Sequence, residues 1–153
     1  MSLQPHHSAQ RAPQRGAPRI SVVVPAYNAA GTVAACLRAL LDLELDEQYE
    51  IILVDDGSTD GTVDISESLR PPTLDTCGFK VLRRPHRGAA AARNAGVRIA
   101  RGKVILFTDA DCEPVRGWAR VLVDAIDCGA DGAKGTYSTR QRGGIKKRAE
   151  QTS

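Results

Sequence analysis

At 153 residues the chain has room for one domain with a real core, and an apolar share of 42% points to a globular fold. Net charge is +3, with six aromatics (one Trp, three Tyr, two Phe) and no basic–aromatic stripe, which argues against a nucleic-acid platform. No run of about 18 apolar residues occurs, so nothing reads as a membrane span.

Residues 1–18, rich in Pro, Gln, His and Arg and without an apolar stretch, read as a disordered tail and not a signal peptide. Strands and helices alternate from residue 19. Residues 20–24 form a β-branched strand stopped by Pro25, and its unbroken apolarity implies burial on both faces. A helix is expected over 31–43, with Val33, Leu37, Leu40 and Leu41 on one stripe. The second strand is 51–54. Asp60 is a candidate N-cap for a helix reaching Leu69, with Val63 and Leu69 inward. Pro71-Pro72 breaks it. Residues 79–82 are a third strand, and 88–100 an alanine-rich helix ended by Gly102. Residues 104–107 are the fourth strand. Trp118, Val121, Leu122, Ala125 and Ile126 mark a fourth helix, and 130–137 a fifth strand. Residues 143–153 are polar, with no period. This order predicts a parallel sheet covered on both faces, with ligands outside the carboxyl ends of the strands.

Chemistry gathers at those ends. Asp109 and Asp111 follow an apolar strand two residues apart, so both carboxylates project from one place. Hard oxygen donors grouped like this suit Mg²⁺ or Mn²⁺ bridging to a phosphate. Asp55 and Asp56 close another strand. One can face a ligand such as a base-ring N–H while the other caps the Gly57-Ser58 backbone; alone, the pair would read as an Asx-type turn. Tyr27 can stack on a nucleobase or simply cover the sheet edge. Arg93, with Asn94 beside it, can reach a diphosphate or lie on a plain helix surface. Cys112 puts a thiol, or just a small packed residue, beside the acid pair. The four cysteines form no CxxC pair and read as reduced thiols of a cytosolic protein. No GxGxxG follows the first strand, and no P-loop or GxSxG elbow occurs.

Four segments together resemble the family 2 glycosyltransferases. They are Val22-Val23-Val24-Pro25-Ala26-Tyr27-Asn28, Val54-Asp55-Asp56-Gly57-Ser58-Thr59-Asp60-Gly61-Thr62, Ala92-Arg93-Asn94-Ala95-Gly96 and Asp109-Ala110-Asp111. The resemblance covers residues 19–142 and implies a GT-A fold, a Rossmann-like α/β fold. It also implies inverting transfer from a UDP- or GDP-sugar to a glycan, lipid or protein acceptor. By it, Pro25, Ala26 and Tyr27 line the nucleoside pocket, and Asp55 and Asp56 serve the base. Arg93 and Asn94 lie by the diphosphate and sugar, Asp109 and Ala110 by the donor, and Asp111 with Asp109 at Mn²⁺ or Mg²⁺. The family takes its acceptor site, its general base and any membrane anchor from later sequence. The chain is therefore expected to be the donor-binding half of a cytoplasmic enzyme, free or at the inner face of a membrane, with no residue assignable as base. A non-catalytic nucleotide-sugar-binding module is the alternative. A sugar-1-phosphate nucleotidyltransferase is a weaker one, because residues 25–28 lack the glycine-rich basic loop that class uses.

Overall fold

The β-branched segments of the chain gather into one sheet in the computed structural model, which describes residues 16–72 and 77–135. The elements alternate as β1 (Ile20–Ala26), α1 (Val33–Leu41), β2 (Tyr49–Asp55), α2 (Thr62–Ser68), β3 (Cys77–Arg83), α3 (Ala89–Ile99), β4 (Val104–Phe107) and α4 (Trp118–Asp127). The sheet is parallel throughout, in the order β3-β2-β1-β4. Two crossovers carry the chain outward from β1 to β3. The third returns it to the far side of β1, so the direction of winding reverses between β1 and β4. In open α/β sheets that reversal leaves a crevice at the carboxyl ends.

Alternation along the strands divides the core. Val22, Val24, Ile51 and Leu53 pack with α1, α2 and α4, whereas Val23, Ile52 and Val54 pack with Ala92 and Ala95 of α3. Both central strands are buried along their whole length, as their composition implies. Helix α3 comes close enough to the sheet that a Cβ on Gly96 would sit 2.4 Å from Val23 Cγ1 and 3.2 Å from Val54 Cγ2. Only glycine fits that contact.

Glu50 is a charge inside this core, wholly buried in β2. Its carboxylate accepts from Ser21 Oγ at 2.7 Å, Arg101 N at 2.7 Å and Lys80 Nζ at 2.8 Å. It thereby pins the turn after α3 to β1 and β2. Burial alone would raise its pKa, but Lys80, the Arg101 N–H and Ser21 together hold it below the usual carboxylate value.

Several boundaries differ from the sequence-based expectation, each for a local reason. β1 continues through Pro25 to Ala26. Val23 O accepts from Thr108 on the β4 side, and Ala26 O accepts from Asp56 N on the β2 side, so Pro25 faces β4 after that pairing has ended at Phe107. Its missing N–H deletes no ladder bond. Helix α1 is shorter than 31–43, but Leu43 stays in the core. The N-cap of α2 is Gly61 in the left-handed region, although Asp60 Oδ1 still accepts from Thr62 N at 3.1 Å. Thr62, Ile65, Ser66 and Leu69 form the inward side of α2, and Val63 does not. Gly102 is no left-handed cap, because α3 ends at Ala100 in extended geometry. It is glycine because a Cβ there would lie 2.5 Å from Ser21 N. Residues 130–135 form no strand, and the remainder of the expected fifth strand lies outside the described residues, as do most of 1–18 and all of 143–153.

Two substitutions test this packing. Gly96→Val overpacks α3 against the sheet and is expected to lower stability by about 3 kcal/mol in urea unfolding; an unchanged midpoint would refute the close contact. Glu50→Gln is expected to flatten the acid limb of stability. In the native chain the depressed Glu50 pKa contributes stability above the unfolded carboxylate value, and that contribution is lost as pH falls through the folded value.

Candidate functional site

The loops at the carboxyl ends of β1 and β2 are laced together. Asn28, at φ 47, accepts from Thr59 N on its Oδ1 at 2.9 Å, and its own N–H donates to Ser58 Oγ at 2.9 Å. Ala29 N donates to Thr62 Oγ1 at 2.8 Å and Ala30 N to Asp60 Oδ2 at 3.0 Å. The Ser58-Thr59-Asp60-Gly61-Thr62 run is therefore a clamp on the loop that carries Tyr27. The Thr62 hydroxyl, which donates to Asp60 Oδ1, and then Ala30 N hold the Asp60 pKa below its ordinary value.

Clamped in this way, Tyr27 stands half exposed against His86, with ring centroids 4.1 Å apart at 32°. Pro25 and Ala26 are buried behind it in the strand end. Asp55 is 1% exposed and accepts from Ser58 N at 3.3 Å, the turn-capping role open to one of the two acids. Asp56 is 2% exposed and is bound by its own chain. It accepts from Arg87 N at 3.1 Å and Gly88 N at 2.7 Å, with Arg84 Nε at 3.3 Å and His86 Nδ1 at 2.9 Å. Its carboxylate thus builds the 84–88 segment and fixes the ring that faces Tyr27. Sequence reasoning missed His86 and Arg84, because no motif spacing marks them and only the fold brings them to Asp56.

Across β1, at the end of β4, Asp109 Oδ1 accepts from Arg93 Nη2 at 2.6 Å. Arg93 reaches it from α3, whose start is held by Asp56. Asn94, a further turn of about 100° around the helix, is exposed. Ala110 is buried and anchors the turn. Asp109, Asp111 and Cys112 bring ligand atoms within 4.8 Å of one another. Two carboxylates in such a set fit Mn²⁺ or Mg²⁺. The buried Cys36 thiol contacts Asp109 O at 3.5 Å. Burial, with Cys112 and the nearby acids, pushes its pKa up to about 12, so it packs and does not react. From β2 to β4 the two halves of the site are two strand spacings apart, about 10 Å. The arrangement thus sets an aromatic wall at one end and clustered carboxylates beside an arginine at the other.

A concavity of about 130 Å³, open to solvent, lies by Arg19, at the opposite end of the strands. Its two arginines are already paired, Arg19 with Glu47 and Asp127 and Arg120 with Asp46, and it offers no aromatic face.

The profile of Glycosyl transferase family 2 matches residues 21–152, and the chain belongs to that family. Glycosyltransferase AglE of Haloferax volcanii is 33% identical over 110 residues, 71% of this chain and 36% of that protein. The TarS 1–349 structure of S. aureus in complex with UDP-GlcNAc superposes with a TM-score of 0.63 at 28% identity, over 71% of this chain and 31% of the other. The mannosyltransferase PcManGT of Pyrobaculum calidifontis, in complex with GDP-Man and Mn²⁺, superposes with a TM-score of 0.58 at 31% identity, over 67% and 30%. The chain therefore spans about a third of the length of these relatives. Their fold is the GT-A fold that the resemblance implied.

Asp56→Ala removes the acceptor shared by Arg87 N and Gly88 N. It should cost about 3 kcal/mol and speed hydrogen exchange at those two amides; exchange at the native rate would refute the clamp.

Proposed function

We propose that this chain forms the donor-binding part of a metal-dependent, inverting glycosyltransferase that takes its sugar from a UDP- or GDP-sugar. The acceptor is a glycan, lipid or protein. The observation that carries this reading is the Arg93–Asp109 pair beside Asp111, set across β1 from the Tyr27–His86 wall. The base lies on the aromatic wall at the ends of β1 and β2, along the backbone of Pro25 and Ala26. Asp55 and Asp56 serve the base end, with Asp56 also holding His86 in place. The diphosphate lies toward Arg93, whose guanidinium is fixed by Asp109 and supplies forked donors to phosphate oxygens, with Asn94 and Ala110 nearby. Asp111, with the second oxygen of Asp109, holds Mn²⁺ or Mg²⁺. When bound, the ion neutralises charge on the leaving diphosphate. The Mn²⁺ and GDP-Man of the mannosyltransferase neighbour and the UDP-GlcNAc of TarS support this assignment. Inversion also needs a carboxylate to take the acceptor proton, a role we assign to no residue here. All four cysteines are free, which suits a cytoplasmic protein or the cytoplasmic face of a membrane.

Calorimetric titration of UDP and then GDP, with and without Mn²⁺, tests the reading. One nucleotide is expected to bind, at least tenfold more tightly with Mn²⁺ than without (about 1.4 kcal/mol), and Asp111→Ala is expected to abolish the Mn²⁺ effect. Failure of both nucleotides to bind would overturn the proposal. Equal binding with and without metal, in both proteins, would overturn its metal dependence.

A further inference from the structure

Charge is divided between the two faces of the sheet. Residues 77–108, which run from β3 through α3 to β4, hold eight Lys and Arg and no Asp or Glu. Among the described residues, α3 alone packs on the Val23, Ile52 and Val54 face, whereas α1, α2 and α4 share the other. Four of the eight cations meet acids: Arg84 at Asp56, Arg93 at Asp109, and Lys80 and Arg101 at Glu50. Arg87, Arg98 and Lys103 are exposed and, among the described residues, pair with no acid. The other face is acidic. Asp42, Glu44, Asp46 and Glu47 follow α1, Asp124 and Asp127 lie on α4, and the arginines among them are paired.

Exposed apolar side chains lie on the same basic face. Val97 and Ile99 of α3 are 43% and 36% exposed, and Phe107 at the end of β4 is 41% exposed. Alternation along β4 puts Phe107 with Ile105 on the α3 side of the sheet. Ala90, Asn94, Val97 and Arg98 recur at helical spacing and form the exposed side of α3. Apolar groups exposed among unpaired cations match a lipid interface, where methyl groups and rings enter the headgroup region and cations meet phosphate. A nucleic-acid platform would need a row of stacking rings, and residues 88–108 hold one aromatic, Phe107.

We propose that the α3 face docks on an anionic lipid surface, with Arg87, Arg98 and Lys103 at the headgroup phosphates and Val97 and Phe107 entering between them. The partner is a bilayer rich in phosphatidylglycerol or a similar acidic lipid. The acidic face opposite turns the molecule so that α3 meets the bilayer. Docked in this way, the strands lie along the membrane plane. Arg93, carried by the docked helix, keeps the Asp109 end of the crevice beside the lipid. Neither nucleotide nor metal takes part in the docking.

The test is co-sedimentation of the full chain with vesicles of equimolar phosphatidylglycerol and phosphatidylcholine, and with vesicles of phosphatidylcholine alone. The wild type is expected to bind the acidic vesicles, to bind them less as salt rises, and to leave the neutral ones unbound. The double variant Arg98→Gln with Lys103→Gln should bind about thirtyfold more weakly, the loss of two cations at the surface. Val97→Ser should weaken the binding that persists at high salt. Arg38→Gln, an exposed cation of α1 on the other face, should bind as the wild type does. All these positions are exposed, and equal urea midpoints check that the variants are folded. The basic residues between 140 and 148 are the same in every variant, so a difference between variants reads the α3 face. Failure of the wild type to bind acidic vesicles would overturn the proposal, as would equal binding by the double variant. Binding to single-stranded RNA without binding to vesicles would overturn the lipid assignment and make the face a nucleic-acid one.

Discussion

Asp56 is the point on which the site depends. Its buried carboxylate accepts from Arg87 N and Gly88 N, so it ties the end of β2 to the first residue before α3. A buried carboxylate is tolerated only when donors surround it, and here the backbone and two basic side chains supply them. The bond fixes where α3 begins, and Gly96 fixes how deeply α3 seats on Val23. With both set, Arg93 arrives at Asp109. The chain of dependence runs from β2 through the returning crossover to β4, across the place where the winding reverses. Loosening Asp56 would therefore disturb both ends of the site, since His86 is held by the same carboxylate.

The two ends ask different things of the chain. At the Tyr27–His86 end, two flat rings face each other on loops held by hydrogen bonds, an arrangement suited to stacking with little ordering cost. At the other end, around Arg93, Asp109 and Asp111, charge is concentrated and more exposed. Asp109 serves both positioning and charge, because one oxygen holds Arg93 while the other stays available. Buried Glu50, at the amino ends of the strands, anchors the opposite side of the crossover. The helix that carries Arg93 is thus fastened at its start by one buried acid and just beyond its end by another.

Much of this was readable from the residues. Unbroken apolar strands announced the doubly covered sheet, and Asp109 and Asp111 announced the charged end, because period-two alternation is a local property. Less readable was anything decided by a distant partner. Pro25 looks like a stop until the short reach of β4 shows that its missing N–H faces no strand. Gly102 looks like a helix cap until Ser21 is seen against it. Asp60 reads locally as a helix cap, and only the fold shows that Ser58, Thr59, Asp60 and Thr62 bond to the Asn28 loop. His86 carries no spacing signal at all, and joins the site only because Asp56 draws it to Tyr27.

Amide chemical-shift mapping of a nucleotide titration in the presence of Mg²⁺ addresses the central claim, that the carboxyl ends of β1, β2 and β4 form one site, most directly. Shifts are expected to cluster at Tyr27 and Asn28, at His86 to Arg93 and at Asp109 to Cys112, on both sides of β1 at once. Shifts confined to one of those groups, or centred on Arg19, Asp46 and Arg120 at the other end of the sheet, would contradict it.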